Sequence, residues 1–188
     1  MNTAGACGLA LALCVCVPAA MTPAPVSAQS AAAAADPERD AMRERLRALL
    51  AVEGPKIGVE FRQSAKQPYN FVGLLSQGLN NSDSLEIVVS LTKSGTIGFR
   101  IYPHYKGGYI NMGRVRDSAE LAHRLLRYND DNFFFWGIDD TGDTFAAYTV
   151  TVESGFPDAA MDVVIRSIRA QDRFVGEMRP AIDGSTAP

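Results

Sequence analysis

The sequence predicts an α+β fold: a twisted, mainly antiparallel sheet with helices packed on it. Three observations lead there. Stretches of strand period are joined by tight turn signals, so hairpins dominate. Stripes of helical period stand apart from them, opening at Asp36, Asp117 and Pro157. The resulting order is helix, uncertain segment, three strands, helix, two strands, helix, which suits helices laid on one face of an antiparallel sheet.

Met1 to Ala28 reads as a secretory signal peptide. Leu9 to Val17 is an apolar core too short to anchor a chain across a bilayer, and Val26-Ser27-Ala28 offers small residues for cleavage before Gln29. The expected location is therefore periplasmic or secreted. Leu13 before Cys14 and Val15 before Cys16 do not suit a lipid-anchor signal. Cys7, Cys14 and Cys16 all lie in the removable segment, so the mature chain is expected to hold no disulfide and no cysteine metal site. Residues 29–35 read as a flexible tether of small residues, 36–182 as one α+β domain and 183–188 as a disordered tail. Every charged residue follows position 35, so the net charge of −3 belongs to the mature part. Mild acidity argues against nucleic acid, and no second apolar run is long enough to span a membrane.

Asp36-Pro37-Glu38 opens the first helix with an N-cap, a proline at the first helical position and an acid near the positive end of the dipole. Met42, Leu46, Leu49 and Leu50 form its stripe, and Gly54-Pro55 is expected to end it. Ile57, Val59 and Phe61 alternate within a strand expected over Lys56 to Arg62. Pro68 to Leu79 fits either a helical turn or an extended run, because Gly73 and Gly78 weaken both. Leu85 to Thr92 and Thr96 to Tyr102 make a hairpin around Lys93-Ser94-Gly95, and Tyr109 to Met112 a short strand after Gly107-Gly108.

The chain centres on Asp117 to Asp158. A capped helix carries Leu121, Ala122, Leu125 and Leu126 on one stripe. Phe133 to Ile138 is apolar on both alternate sets and reads as a buried strand. Asp139 to Asp143 forms a turn, Thr144 to Glu153 returns, and a last helix runs from Pro157-Asp158 to near Pro180 with Met161, Val164, Ile165, Ile168 and Val175 inward.

Leu125-Leu126-Arg127-Tyr128-Asn129, the aromatic strand, the acidic-Gly turn, the returning strand and Gly155-Phe156-Pro157 resemble the YbjN-like family, also called bacterial sensory transduction regulators. The resemblance covers roughly Ile57 to Ile182. It implies a fold like that of type III secretion chaperones, three helices around a twisted antiparallel sheet, often paired into dimers. It implies a binding or regulatory module and brings no catalytic residue with it. The secretory leader departs from many relatives and sits poorly with a cytoplasmic chaperone role.

Asp140-Thr141-Gly142 matches the tripeptide of aspartic proteases, but those enzymes need two such carboxylates sharing a proton, and here Asp139 and Asp143 flank it in a hairpin turn. Asp139, Thr141 and Asp143 sketch alternate oxygens for Ca²⁺ without the glycine and glutamate of an EF-hand loop. His104 and His123 lack the spacing of a zinc pair. No cofactor, metal ligand or catalytic residue is therefore assigned. Tyr102, Tyr105, Tyr109, Phe133, Phe135 and Trp136 form the candidate interaction surface, with core packing as the plainer role of aromatics.

The sequence thus points to a non-enzymatic, exported binding module acting through protein contacts, and to a homodimer covering the second face of Phe133 to Ile138. A hydrolase centred on Asp140 and a pocket for a small apolar ligand are the alternatives. Cleavage after Ala28 is directly testable: mass spectrometry of the exported protein should find Gln29 at the amino terminus, and a retained Met1 would reject the leader.

Overall fold

The computed structural model of the chain describes residues 36–185. The leader and the tether expected over residues 1–35 lie outside the described residues.

Helix α1 spans Pro37–Lys56, and Asp36 caps it by accepting the Arg39 backbone N–H at 3.0 Å. It does not end at Gly54-Pro55. Pro55 sits in the last turn, and the helix is closed by Ile57 and Gly58 N–H groups bonding back to Gly54 and Pro55, with Gly58 at φ +81°. Gly54 is small because of what packs beside it. A Cβ there would lie 2.6 Å from the Val59 carbonyl oxygen and 2.8 Å from the Phe61 ring. The strand expected over Lys56 to Arg62 shrinks to β1, Arg62–Gln63. Ile57, Val59 and Phe61 are spent on packing between helix and sheet rather than on a ladder.

The ambiguous segment is extended. Strand β2 (Asn70–Leu75) pairs with β3 (Ser84–Leu91), which pairs with β4 (Thr96–Tyr105). Gly73 is compatible with a strand here because a side chain at that position would strike Val59 and the Phe61 ring. The short strand β5 is Gly108–Tyr109, followed by an isolated bridge from Asn111 to Asp143.

Helix α2 is Ser118–Asp131, capped by Asp117, whose carboxylate accepts the Glu120 N–H at 2.9 Å. Its inward stripe is Leu121, Leu125 and Tyr128; Leu126, expected inward, is 70% exposed. Strand β6 (Phe135–Ile138) and β7 (Thr144–Thr151) form the second hairpin. The last helix is two helices, α3 (Asp158–Ser167) and α4 (Asp172–Ile182), joined by a 3₁₀ turn at Arg169–Gln171, with Pro180 inside α4. Asp183, the first residue of the expected tail, receives hydrogen bonds from Ser185, Tyr105 and Lys106.

All strand pairings among the described residues are antiparallel, in the order β1-β2-β3-β4-β7-β6 with β5 beside β4. One face carries Phe71, Leu85, Ile87, Val89, Ile97, Phe99, Ile101 and Ala146, all buried under the helices with Leu46, Leu121, Ile165 and Val175. The core therefore lies on that side of the sheet.

One buried carboxylate joins the layers. Asp172, 6% exposed at the start of α4, accepts the backbone N–H groups of Asn80 (2.7 Å), Asn81 (3.1 Å) and Ser82 (2.8 Å). Removing it leaves three donors without their charged acceptor. Asp172→Ala is expected to cost about 3 kcal/mol of unfolding free energy, the scale of a lost charged hydrogen-bond partner in a buried site. Urea unfolding measures this, and a loss below about 1 kcal/mol would reject the assigned role.

Candidate functional site

Alternation along each strand sends the second set of side chains to the face away from the helices. The register lines them up in rows. Arg62, Val72, Val88, Arg100, Ala147 and Phe135 are successive cross-strand partners, and Leu74, Glu86 and Tyr102 form the neighbouring row. Tyr109 lies opposite His104 at the margin.

A run of rings crosses this face. His104 meets Tyr109 at 4.4 Å between centroids, Tyr109 meets Tyr102 at 5.9 Å, Tyr102 meets Phe145 at 5.7 Å, and Phe145 meets Phe135 at 6.2 Å. Phe145 is only 6% exposed although it is on the uncovered side. Its ring lies over Gly137, where a Cβ would come within 3.2 Å of it, and the Arg100 guanidinium stands 4.7 Å above it. Phe135, at the end of the run, is 47% exposed.

The other end is acidic. Glu86, Val88, Tyr102, Tyr109, Asp139 and Asp143 surround a hollow of about 280 Å³. The Tyr109 hydroxyl donates to Glu86 at 2.8 Å. Burial and then this bond to a carboxylate push the Tyr109 phenol up to about 12. Burial alone would raise the Asp139 carboxyl, but the Thr141 hydroxyl and the Asp143 and Thr141 backbone N–H groups donate to it and hold it below the usual range. One oxygen of Asp139, Oδ1, takes all three bonds. Asn111 donates to Asp143 at 2.8 Å and to the Thr141 carbonyl at 2.9 Å, locking the turn to the bridge before α2.

The six aromatic residues singled out from the sequence divide three ways. Tyr102, Tyr109 and Phe135 share the open face. Trp136 points to the helices, 3% exposed, against Tyr128 and Phe174, because it is paired with Ala146 on the core side. Tyr105 also turns toward the helix layer, its hydroxyl on Asp183 at 3.1 Å. Phe133 precedes β6 and packs on Phe134 and Tyr148. Asp140 is exposed in the turn, beside Gly142 at φ +87°. Among the described residues no group of three His, Cys, Asp or Glu is arranged to hold a metal ion.

Phe145, Glu86, Arg100 and His104 belong to this face, and the sequence does not mark them as its members. The strand register that gathers them depends on pairing β4 with β7 across α2, which no local pattern reveals.

No family model matches the chain, and neither does any curated protein. Solved structures similar to it include these two. YbjN from E. coli, crystallised as a candidate transcription regulator, is 18% identical over 72% of this chain and 89% of its own, with a TM-score of 0.47. The ExsC–ExsE complex provides a chain 10% identical over 77% of this one and 98% of its own, with a TM-score of 0.46.

The Tyr109 shift has a pH consequence. Its folded value of about 12 stands above the ordinary 10.0, so the associated stability is complete below pH 10 and is lost as pH rises from 10 towards 12. Ultraviolet titration should show Tyr109 among the last phenols to ionise, and Tyr109→Phe should remove one late transition. Loss of an ordinary transition near pH 10 in that variant, with the late ones intact, would contradict the bond to Glu86.

Proposed function

We propose that this chain is a non-enzymatic, exported binding and regulatory module that holds a protein partner on the open face of its sheet. The observation that carries the reading is the run of rings on the side without helices. Tyr102, Phe145 and Phe135 give an apolar middle, and Arg62, Arg100, Glu86, Asp139 and Asp143 give it a charged rim. Aromatic anchors ringed by polar groups are the composition of protein-contact patches. Export is inferred from the apolar leader, which would deliver this face to the periplasm or beyond.

Self-association into a homodimer fits the same face. The sequence suggests Trp136 for such a contact; its burial against Tyr128 and Phe174 moves that role to Phe135. Trp136 emission should therefore stay blue on dilution, whatever the state of assembly, and sedimentation is the measurement that reports the dimer.

Capture from a periplasmic extract of the source cell tests the partner. The paired change Tyr102→Ala and Phe135→Ser should weaken capture on the order of a hundredfold or more, since buried aromatic anchors each contribute about 2 kcal/mol and about 1.4 kcal/mol is tenfold. Leu126→Ser, on the opposite side, should leave it unchanged. Equal capture by both variants, with melting points near the parent's, would remove the open face as the binding surface.

A further inference from the structure

Helices α2 and α4 run antiparallel on the side of the sheet away from the open face. Arg124 donates to the Glu177 carbonyl at 2.8 Å, the Tyr128 and Phe174 rings meet at 4.6 Å, and Asn132 donates to Gln171 at 3.0 Å. Between the two helices lies a cleft of about 390 Å³ lined by Arg124, Arg127 and Arg173. The register of the pair sets Arg127 and Arg173 opposite each other, at the end nearer the start of α4. Three guanidinium groups in one cleft need a reason. Like charges three positions apart, as Arg124 and Arg127 are, weaken a helix. Of the two carboxylates on the wall, Glu120 is paired with Arg124 at 2.8 Å, and Glu177 is the other. Arg173 forms no ion pair among the described residues; its guanidinium lies 4.5 Å over the Phe174 ring.

Tyr128 also lines the cleft. It is 6% exposed, and its buried hydroxyl has no hydrogen-bond partner among the described residues. A buried hydroxyl left unpaired is costly. Burial, and then the Glu177 carboxylate, push its phenol up to about 12, so near neutral pH it keeps its proton and remains a donor. We infer that this cleft is a binding site for a phosphate monoester, held by the Arg127 and Arg173 guanidinium groups from two helices and by the Tyr128 hydroxyl beneath them. A guanidinium presents its N–H donors in a planar fork that suits phosphate oxygens. The donors here come from three directions. A tetrahedral phosphate has three terminal oxygens to meet them, whereas a carboxylate has two in one plane. Three arginines against two glutamates leave a small positive excess, which suits one phosphate rather than a chain of them. Soluble esters and lipid headgroups both carry this group. The inference holds whatever the open face binds.

Nuclear magnetic resonance of the full chain tests it, following the arginine Nε–H signals during titration with inorganic phosphate and glycerol phosphate. The Arg127 and Arg173 signals should shift saturably, and sodium chloride of equal ionic strength should leave them in place. Arg173→Gln, at an exposed position, should weaken binding about tenfold, the scale of one charged hydrogen bond. Tyr128→Phe should weaken it about fivefold yet melt no lower than the parent, because the hydroxyl gives up no bond when it goes. Unchanged affinity in that variant would overturn the place of Tyr128 in the site. Flotation with vesicles of phosphatidic acid, set against phosphatidylcholine, separates the two sources. Flotation lost in Arg173→Gln assigns the headgroup, and saturable glycerol phosphate shifts without such flotation assign a soluble ester. Equal shifts with acetate would overturn the phosphate. No shift with either phosphate, together with flotation indifferent to Arg173, would overturn the site.

Discussion

The fold depends on how the last helix grips the loop between β2 and β3. The Asp172 carboxylate takes the N–H groups of Asn80, Asn81 and Ser82, while Arg179 donates to the carbonyls of Asn80 and Asn81. Arg169 donates to the carbonyls of Gln77 and Ile57 from the turn before α4. Buried backbone groups away from helix and sheet must find partners. Here an anion serves the donors and two guanidinium groups serve the acceptors. Charged partners make these bonds stronger than neutral ones, and their fixed directions set where α4 lies. The 3₁₀ turn between α3 and α4 lets Ile168 and Val175 both face the sheet while Asp172 turns to the loop.

With every helix committed to one side, the sheet has two unlike faces. The inner face is aliphatic and sealed. The outer one keeps Phe145 buried without any helix above it, by laying the ring across Gly137 under Arg100 and beside Tyr102 and Phe135. An apolar strip is thus held in a fixed arrangement by its own neighbours. Such preorganisation lowers the ordering cost of association.

Much of this architecture is legible in the sequence because local chemistry and tertiary need agree. Asp36 and Asp117 cap the helices they announce, and Lys93-Ser94-Gly95 turns the hairpin it suggests. The differences share a cause. Gly54 and Gly73 look like breakers, yet each is small because Val59 and Phe61 occupy the space beside it. Leu126 matches the α2 stripe by spacing, but α2 meets α4 and β6 over an arc that Tyr128 fills instead. Phe133 to Ile138 suggests cover on both sides, whereas the helices bury Phe134 and Trp136 on one side and leave Phe135 47% exposed on the other. The split of the final helix rests on Gln171 and Asp172, polar residues buried in what spacing alone presents as an apolar stripe. The open face is half visible: its tyrosines and Phe135 stand out, but Phe145 and Glu86 join them only through the register.

The order in which the chain emerges gives the α4 clasp a further meaning. Asp172 and Asn80 are 92 positions apart, as are Arg169 and Gln77, and Arg45 meets Asp158 across 113. A chain delivered amino end first therefore holds an incomplete domain until its final helix is out. Its hairpins pair locally, but α3 and α4, which complete the helix layer over their inner face, come only after residue 157. Long-range closure of this kind slows folding.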